Sequence, residues 1–189
     1  MKRLFVAALL LAVTSSAVAG LVELRVNPDD AETSYEYGNI ITIEVYCSGF
    51  RQNHPLDTIK VMEMDNVTSD NGGIASGPEF HPDIDGGLSS PGSPGVDGYL
   101  IRGPIGSVPG TTDTGLSDPS WGYRFEYHVP DLSYSSNITI ALEGFVIKNV
   151  AGQTMTGYTL NDELDLHVVP EPAALLLFGL GGLLLRKRH

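Results

Sequence analysis

The stretch Ile41-Thr42-Ile43-Glu44-Val45-Tyr46-Cys47 carries an apolar side chain at every second position, with polar or amphipathic residues between. That is the period of a pleated strand with one face buried and the other wet, and winding it into a helix would scatter the apolar residues round the cylinder. The alternation returns in Tyr123-Arg124-Phe125-Glu126-Tyr127-His128-Val129 and in Ile138-Thr139-Ile140-Ala141-Leu142-Glu143. It also marks Leu24 and Val26, set among Glu23 and Arg25, and Leu164-Asp165-Leu166-His167-Val168. Two more strands are predicted over Thr58 to Met64 and Phe145 to Lys148, the second pairing with Met155 to Leu160 across the turn at Ala151-Gly152. No stretch from 20 to 169 keeps i, i+3, i+4 spacing. Seven or eight short half-buried strands without a helix predict an all-β domain, an antiparallel β-sandwich of two sheets packed face to face. Cys47 follows Ile41, Ile43 and Val45 on the inward register, so it reads as a core thiol. Trp121 falls two before Tyr123 and reads as core by the same rule.

Between Asp65 and Ser120 the composition shifts. These 56 residues hold 12 glycines and 7 prolines, too many for a long central strand. The segment 65–120 is predicted as an insertion with one or two short strands, Tyr99 to Arg102 being the best, joined by turns such as Asp85-Gly86-Gly87. A recognition site would sit most naturally there, because loops carry binding while sheets carry stability. His81-Pro82-Asp83-Ile84-Asp85-Gly86-Gly87 contains a fragment of a calcium loop. Asp83, Asp85 and a third carboxylate such as Asp97 are the candidate ligands, against the competing reading of acid-then-glycine as an Asx turn. The four histidines after the leader, His54, His81, His128 and His167, stand apart from one another before the C-terminal end, so zinc is not indicated. Phe80, Tyr99 and Tyr134 lie in loop-rich parts and are the candidate stacking faces for a sugar ligand. Acid pairs such as Asp162-Glu163 keep open a secreted, carboxylate-dependent glycoside hydrolase, a reading that depends on a through-space separation. No nucleophile elbow, phosphate loop or dinucleotide fingerprint appears.

The charge is lopsided. From Gly20 to Glu171 there are 6 bases against 23 acids, a net charge of −17, while the other 5 of the 11 bases sit at the two ends. Such a surface repels phosphate backbones, so no nucleic-acid partner is expected. Met1-Lys2-Arg3, the apolar stretch Leu4 to Val13 and the small residues Ala17 and Ala19 form a signal peptide over 1–19, with cleavage leaving Gly20 first. At the other end Pro170-Glu171-Pro172 precedes thirteen apolar or glycine residues, 173–185, and then the basic stop Arg186-Lys187-Arg188-His189. The run reads as a membrane helix, short against a hydrocarbon core of about 30 Å, with its cations on the cytoplasmic side. Residues 20–169 are thus the delivered domain and 170–189 a terminal segment of its own.

That terminal order of Pro-Glu-Pro, leucine and glycine run and basic end resembles the PEP-CTERM sorting signal of exported bacterial proteins. The resemblance implies recognition of Pro170, Glu171 and Pro172 by an exosortase-type membrane enzyme, and delivery to the cell envelope, outer surface or extracellular matrix. The body, through its strand layout, the Tyr37-Gly38-Asn39 turn before Ile40 and its acidity, is similar to cohesin-like and carbohydrate-binding sandwiches of jelly-roll type. It implies a non-enzymatic domain that binds polysaccharide or a surface protein and needs no cofactor, or a calcium-stabilised adhesion module.

Overall fold

A computed structural model describes residues 20–52, 54, 56–95, 98–108 and 115–170. The expected signal peptide, with Ala17 and Ala19, lies outside them, as do Asp97, the apolar run 173–185, Glu171, Pro172 and the basic stop. Among the described residues no helix is long and apolar enough to cross a membrane.

The described residues form twelve strands: β1 (Leu21–Val26), β2 (Tyr35–Glu36), β3 (Ile40–Ser48), β4 (Ile59–Ser69), β5 (Ile74–Phe80), β6 (Ser93–Pro94), β7 (Tyr99–Gly106), β8 (Ser120–His128), β9 (Ser136–Glu143), β10 (Val146–Asn149), β11 (Thr159–Asn161) and β12 (Glu163–Val169). A smaller sheet has the order β11-β1-β3-β8-β5, and a larger one β2-β12-β9-β4-β7-β6, with β10 added on β4. The two pack as a β-sandwich. Its core is drawn from the alternating positions: Val22, Ile43, Val45, Tyr123 and Phe125 from the smaller sheet meet Met62, Ile101, Ile105, Ile138, Ile140 and Ile147 from the larger. Cys47 is buried among them, and desolvation, with the nearby Asp118 charge adding, pushes its thiol far above the ordinary range. A thiol so placed stays protonated and inert.

Among the described residues the pairing is antiparallel except at two places. β11 runs parallel to β1, and β2 parallel to β12. The first follows from how the chain closes the sandwich. Residues 159–161 extend the smaller sheet beyond β1, and immediately after Asp162 the chain crosses to the larger sheet and pairs with β9. Met155 to Leu160 therefore does not form the hairpin expected with Phe145 to Lys148. The expected turn at Ala151-Gly152 does close, with the Gly152 N–H donating to the Asn149 carbonyl and the Asn149 N–H to the Gln153 carbonyl, but the pairing stops after the Lys148–Thr154 bridge and the Met155 N–H bond to Ile147, while β10 pairs with β4. The Gly/Pro-rich segment supplies edges: β5 ends the smaller sheet, and β7 with β6 ends the larger.

Trp121 does not lie in the core. The β3–β8 register slips between Val45 and Tyr46, so that Tyr123 opposes Val45 but Trp121 opposes Tyr46. The extra residue is Gly122, where an added Cβ would strike Met62. This bulge turns the indole to the outer face, where Arg124 stacks on it at 4.1 Å and His81 meets it edge-on at 4.7 Å. Burial lowers the His81 pKa below its ordinary 6.5, with Asp83 opposing and Arg124 assisting. The folded protein thus favours the neutral ring. As pH falls through about 6.5 the unfolded chain takes up the proton first, and stability declines until the lowered folded value is passed. Thermal melts at pH 7.5 and pH 5 are expected to show a larger acid-induced drop for the wild type than for His81→Phe. Equal drops would remove His81 as the cause.

Candidate functional site: an open groove on the larger sheet

The outer face of the larger sheet is interrupted near the middle of β4. The β4–β7 register matches Glu63 with Gly106 and Met64 with Ile105, then slips so that Asn66 meets Arg102. Asp65 faces the Gly103-Pro104 pair in that gap. A Cβ on Gly103 would collide with the Asp65 carbonyl, and one on Gly144, at φ +64°, with the Asp65 carboxylate. Two glycines thus flank one acid, and β9 and β10 meet β4 in sequence along its other edge.

The outcome is an open groove of about 560 Å³ lined by Glu63, Asp65, Leu88, Pro104, Val108 and Val146, with Ser90, Gly106 and Gly144 among the floor residues. Its walls are pinned. Ser90 and Gly106 exchange two backbone bonds of 2.9 Å, and the Ser90 hydroxyl donates to the Pro104 carbonyl at 3.1 Å. The Val108 N–H donates to Ser89 Oγ at 3.0 Å, and its carbonyl accepts from the Gly86 N–H at 2.8 Å. Ser107 holds β4 by its hydroxyl, which accepts the Met62 N–H at 2.9 Å. Leu88 is 82 % exposed on this rim and Val108 37 %. The Lys148 ammonium donates to Glu63 at 2.6 Å, whereas Asp65 has no ion-pair partner among the described residues. An apolar rim with one balanced and one unbalanced carboxylate suits an apolar segment that carries a cation.

The residues singled out in sequence do not meet there. Phe80 is buried on β5, tilted against Tyr123 at 5.0 Å, and so is core rather than a stacking face. Tyr99 opens β7, half-buried, with the Arg102 guanidinium 5.2 Å from its ring. Tyr134 is exposed in the loop between β8 and β9, which joins the larger sheet at the end opposite the groove. Asp83 accepts from the Ser117 hydroxyl at 2.5 Å and its N–H at 3.1 Å. Asp85 accepts the Gly87 N–H at 2.9 Å, the Asx turn. Among the described residues no three His, Cys, Asp or Glu side chains gather to hold a metal. The groove itself has no sequence signature, being assembled from positions between 63 and 146; the glycines at 103, 106 and 144 are the only trace of it.

Residues 168–188 match the PEP-CTERM protein-sorting motif, which implies export to the cell surface. No curated protein matches the chain. Among solved structures, the fold is similar to the sixth cohesin of Acetivibrio cellulolyticus scaffoldin B, determined in complex with a Cel5 dockerin mutant, at 12 % identity and TM-score 0.53, covering 80 % of this chain and 99 % of that one. It is also similar to the non-cellulosomal cohesin of the archaeon Archaeoglobus fulgidus, at 13 % identity and TM-score 0.52, over 82 % and 95 %. A third likeness is CaCohA2 of Clostridium acetobutylicum, at 9 % and TM-score 0.57, over 79 % and 91 %. At such identities the likeness is one of fold: the chain is a cohesin-like β-sandwich. Its terminus adds the particular feature, a sorting segment continuous with the last strand.

Proposed function

We propose that this is an exported, surface-sorted, non-enzymatic binding module of the cell envelope or extracellular matrix, which captures a partner protein in the groove between β4, β7 and β10. The groove carries the reading: a pinned, glycine-floored channel with exposed Leu88 and Val108 beside the unpaired Asp65. Exposed apolar side chains of that kind, rimmed by charge, mark interaction surfaces. Cohesins solved with dockerins, such as the one from Acetivibrio cellulolyticus, support a protein ligand over a sugar, and the scattered aromatics Phe80, Tyr99 and Tyr134 form no joint platform. The exosortase-type enzyme is the other partner, acting on Pro170, Glu171 and Pro172, and the apolar run 173–185 holds the module at the membrane at least until processing.

Leu88→Asp with Val108→Asp tests the groove. Residues 20–169 carrying both changes are expected to melt with the wild type yet lose at least tenfold in affinity for the surface protein that the wild type retains from its own cells. Equal retention by both forms would sink the assignment.

A further inference from the structure

β12 is held unevenly. One edge pairs with β9 from Glu163 to Val168, but the other is covered only at its last two residues, where Val168 opposes Tyr35 and Val169 opposes Glu36. The sorting motif begins at Val168. Its first residues are therefore part of the folded sheet: Val168 is 0 % exposed, clamped between β9 and β2. Pro170 follows with no linker. An enzyme that cuts or transfers a chain takes it as an extended segment, and such sites favour exposed, unpaired backbone. The residues ahead of Pro170 are out of its reach while β2 stays closed.

The closure is small. β2 has two residues, seated by the buried Tyr35, whose hydroxyl accepts the Glu32 N–H at 3.1 Å, and by the Glu36 N–H donating to Asn39 Oδ1 at 2.7 Å. A two-residue edge pairing belongs to the part of a fold that opens locally at low cost. We infer that β2 is a latch over the sorting segment: the processing enzyme gains access by displacing Tyr35–Glu36 and taking their place along the end of β12. The latch rests on the sorting reading and is independent of the groove.

The registered pair Glu36 and Val169 allows a reversible lock. In full-length chains in their own cells, with processing followed by intact mass, oxidised Glu36→Cys/Val169→Cys is expected to be processed at least tenfold less than wild type and to recover on reduction. A six-residue Gly-Ser spacer between Val169 and Pro170 should raise the processed fraction above wild type and make the lock irrelevant. Wild-type processing of the oxidised lock overturns the latch, as does a spacer without effect. If Glu171→Ala with Pro172→Ala is processed like the wild type, the sorting reading itself fails, a separate outcome.

Discussion

Gly103→Ala is expected to cost about 3 kcal/mol of stability, near the upper end of ordinary overpacking, and to lower the melting temperature of a roughly 150-residue domain by about 10 °C. All three atoms that the new Cβ would meet are backbone, the carbonyl oxygen and carbon of Asp65 and the nitrogen of Ile105. No rotamer change can relieve such a contact. β4 and β7 would have to part at the slip in register that forms the groove, so binding should fall along with stability. Gly106→Ala is the matched control: its Cβ would find only Glu63 Cγ, at 3.7 Å, an ordinary van der Waals contact. It adds a methyl to the groove floor without disturbing the ladder, and is expected to leave the melting temperature nearly unchanged while weakening the partner. Scanning calorimetry on both variants decides the matter; a Gly103→Ala protein that melts with the wild type would mean that the β4–β7 approach is not as close as described.

The period-two pattern made five of the long strands legible, because a half-buried strand writes its burial directly into the sequence: β1, β3, β8, β9 and β12 all lie where the alternation places them. What escaped was wherever register or topology broke the period. Trp121 sits outside because one glycine, Gly122, adds a residue to β8. β5 was hidden by Gly77 and Pro78, which an edge strand tolerates and a central one does not. The strand expected over Met155 to Leu160 survives only at its end, as β11, and its parallel pairing could not be seen because the partner, β1, lies at the other end of the chain. The groove was less legible still. Its floor is defined by missing side chains, and its rim joins Leu88, Val108 and Val146 only after folding. The sorting motif is the opposite case: it is one contiguous run of residues, so it was visible in the sequence, whereas the pairing of its first residues with β2 was not.

Glu44 shows how an outward, polar position can still become structural, and it carries the second large expected effect. On alternation alone it faces water; in the fold it is 3 % exposed. Arg25, opposite it on β1, donates to its carboxylate from Nε at 2.8 Å and approaches with a second guanidinium nitrogen at 2.7 Å, while the Asn27 amide donates at 3.2 Å. The same guanidinium lies over the Tyr46 ring at 3.3 Å. Arg25→Met would strip the counter-charge from a carboxylate that water cannot reach, and breaking a buried pair from one side costs about 3 kcal/mol or more. Glu44→Leu is expected to cost far less, since Arg25 is part-exposed and can turn its head to solvent while its stem stays packed. The double variant Arg25→Met/Glu44→Leu should recover most of the loss, because an apolar pair of similar volume leaves no charge stranded. Denaturant titration of the three forms gives the coupling energy directly. Similar, small losses for both single variants would show that Glu44 is hydrated after all, and that the pair is an ordinary surface bridge worth little.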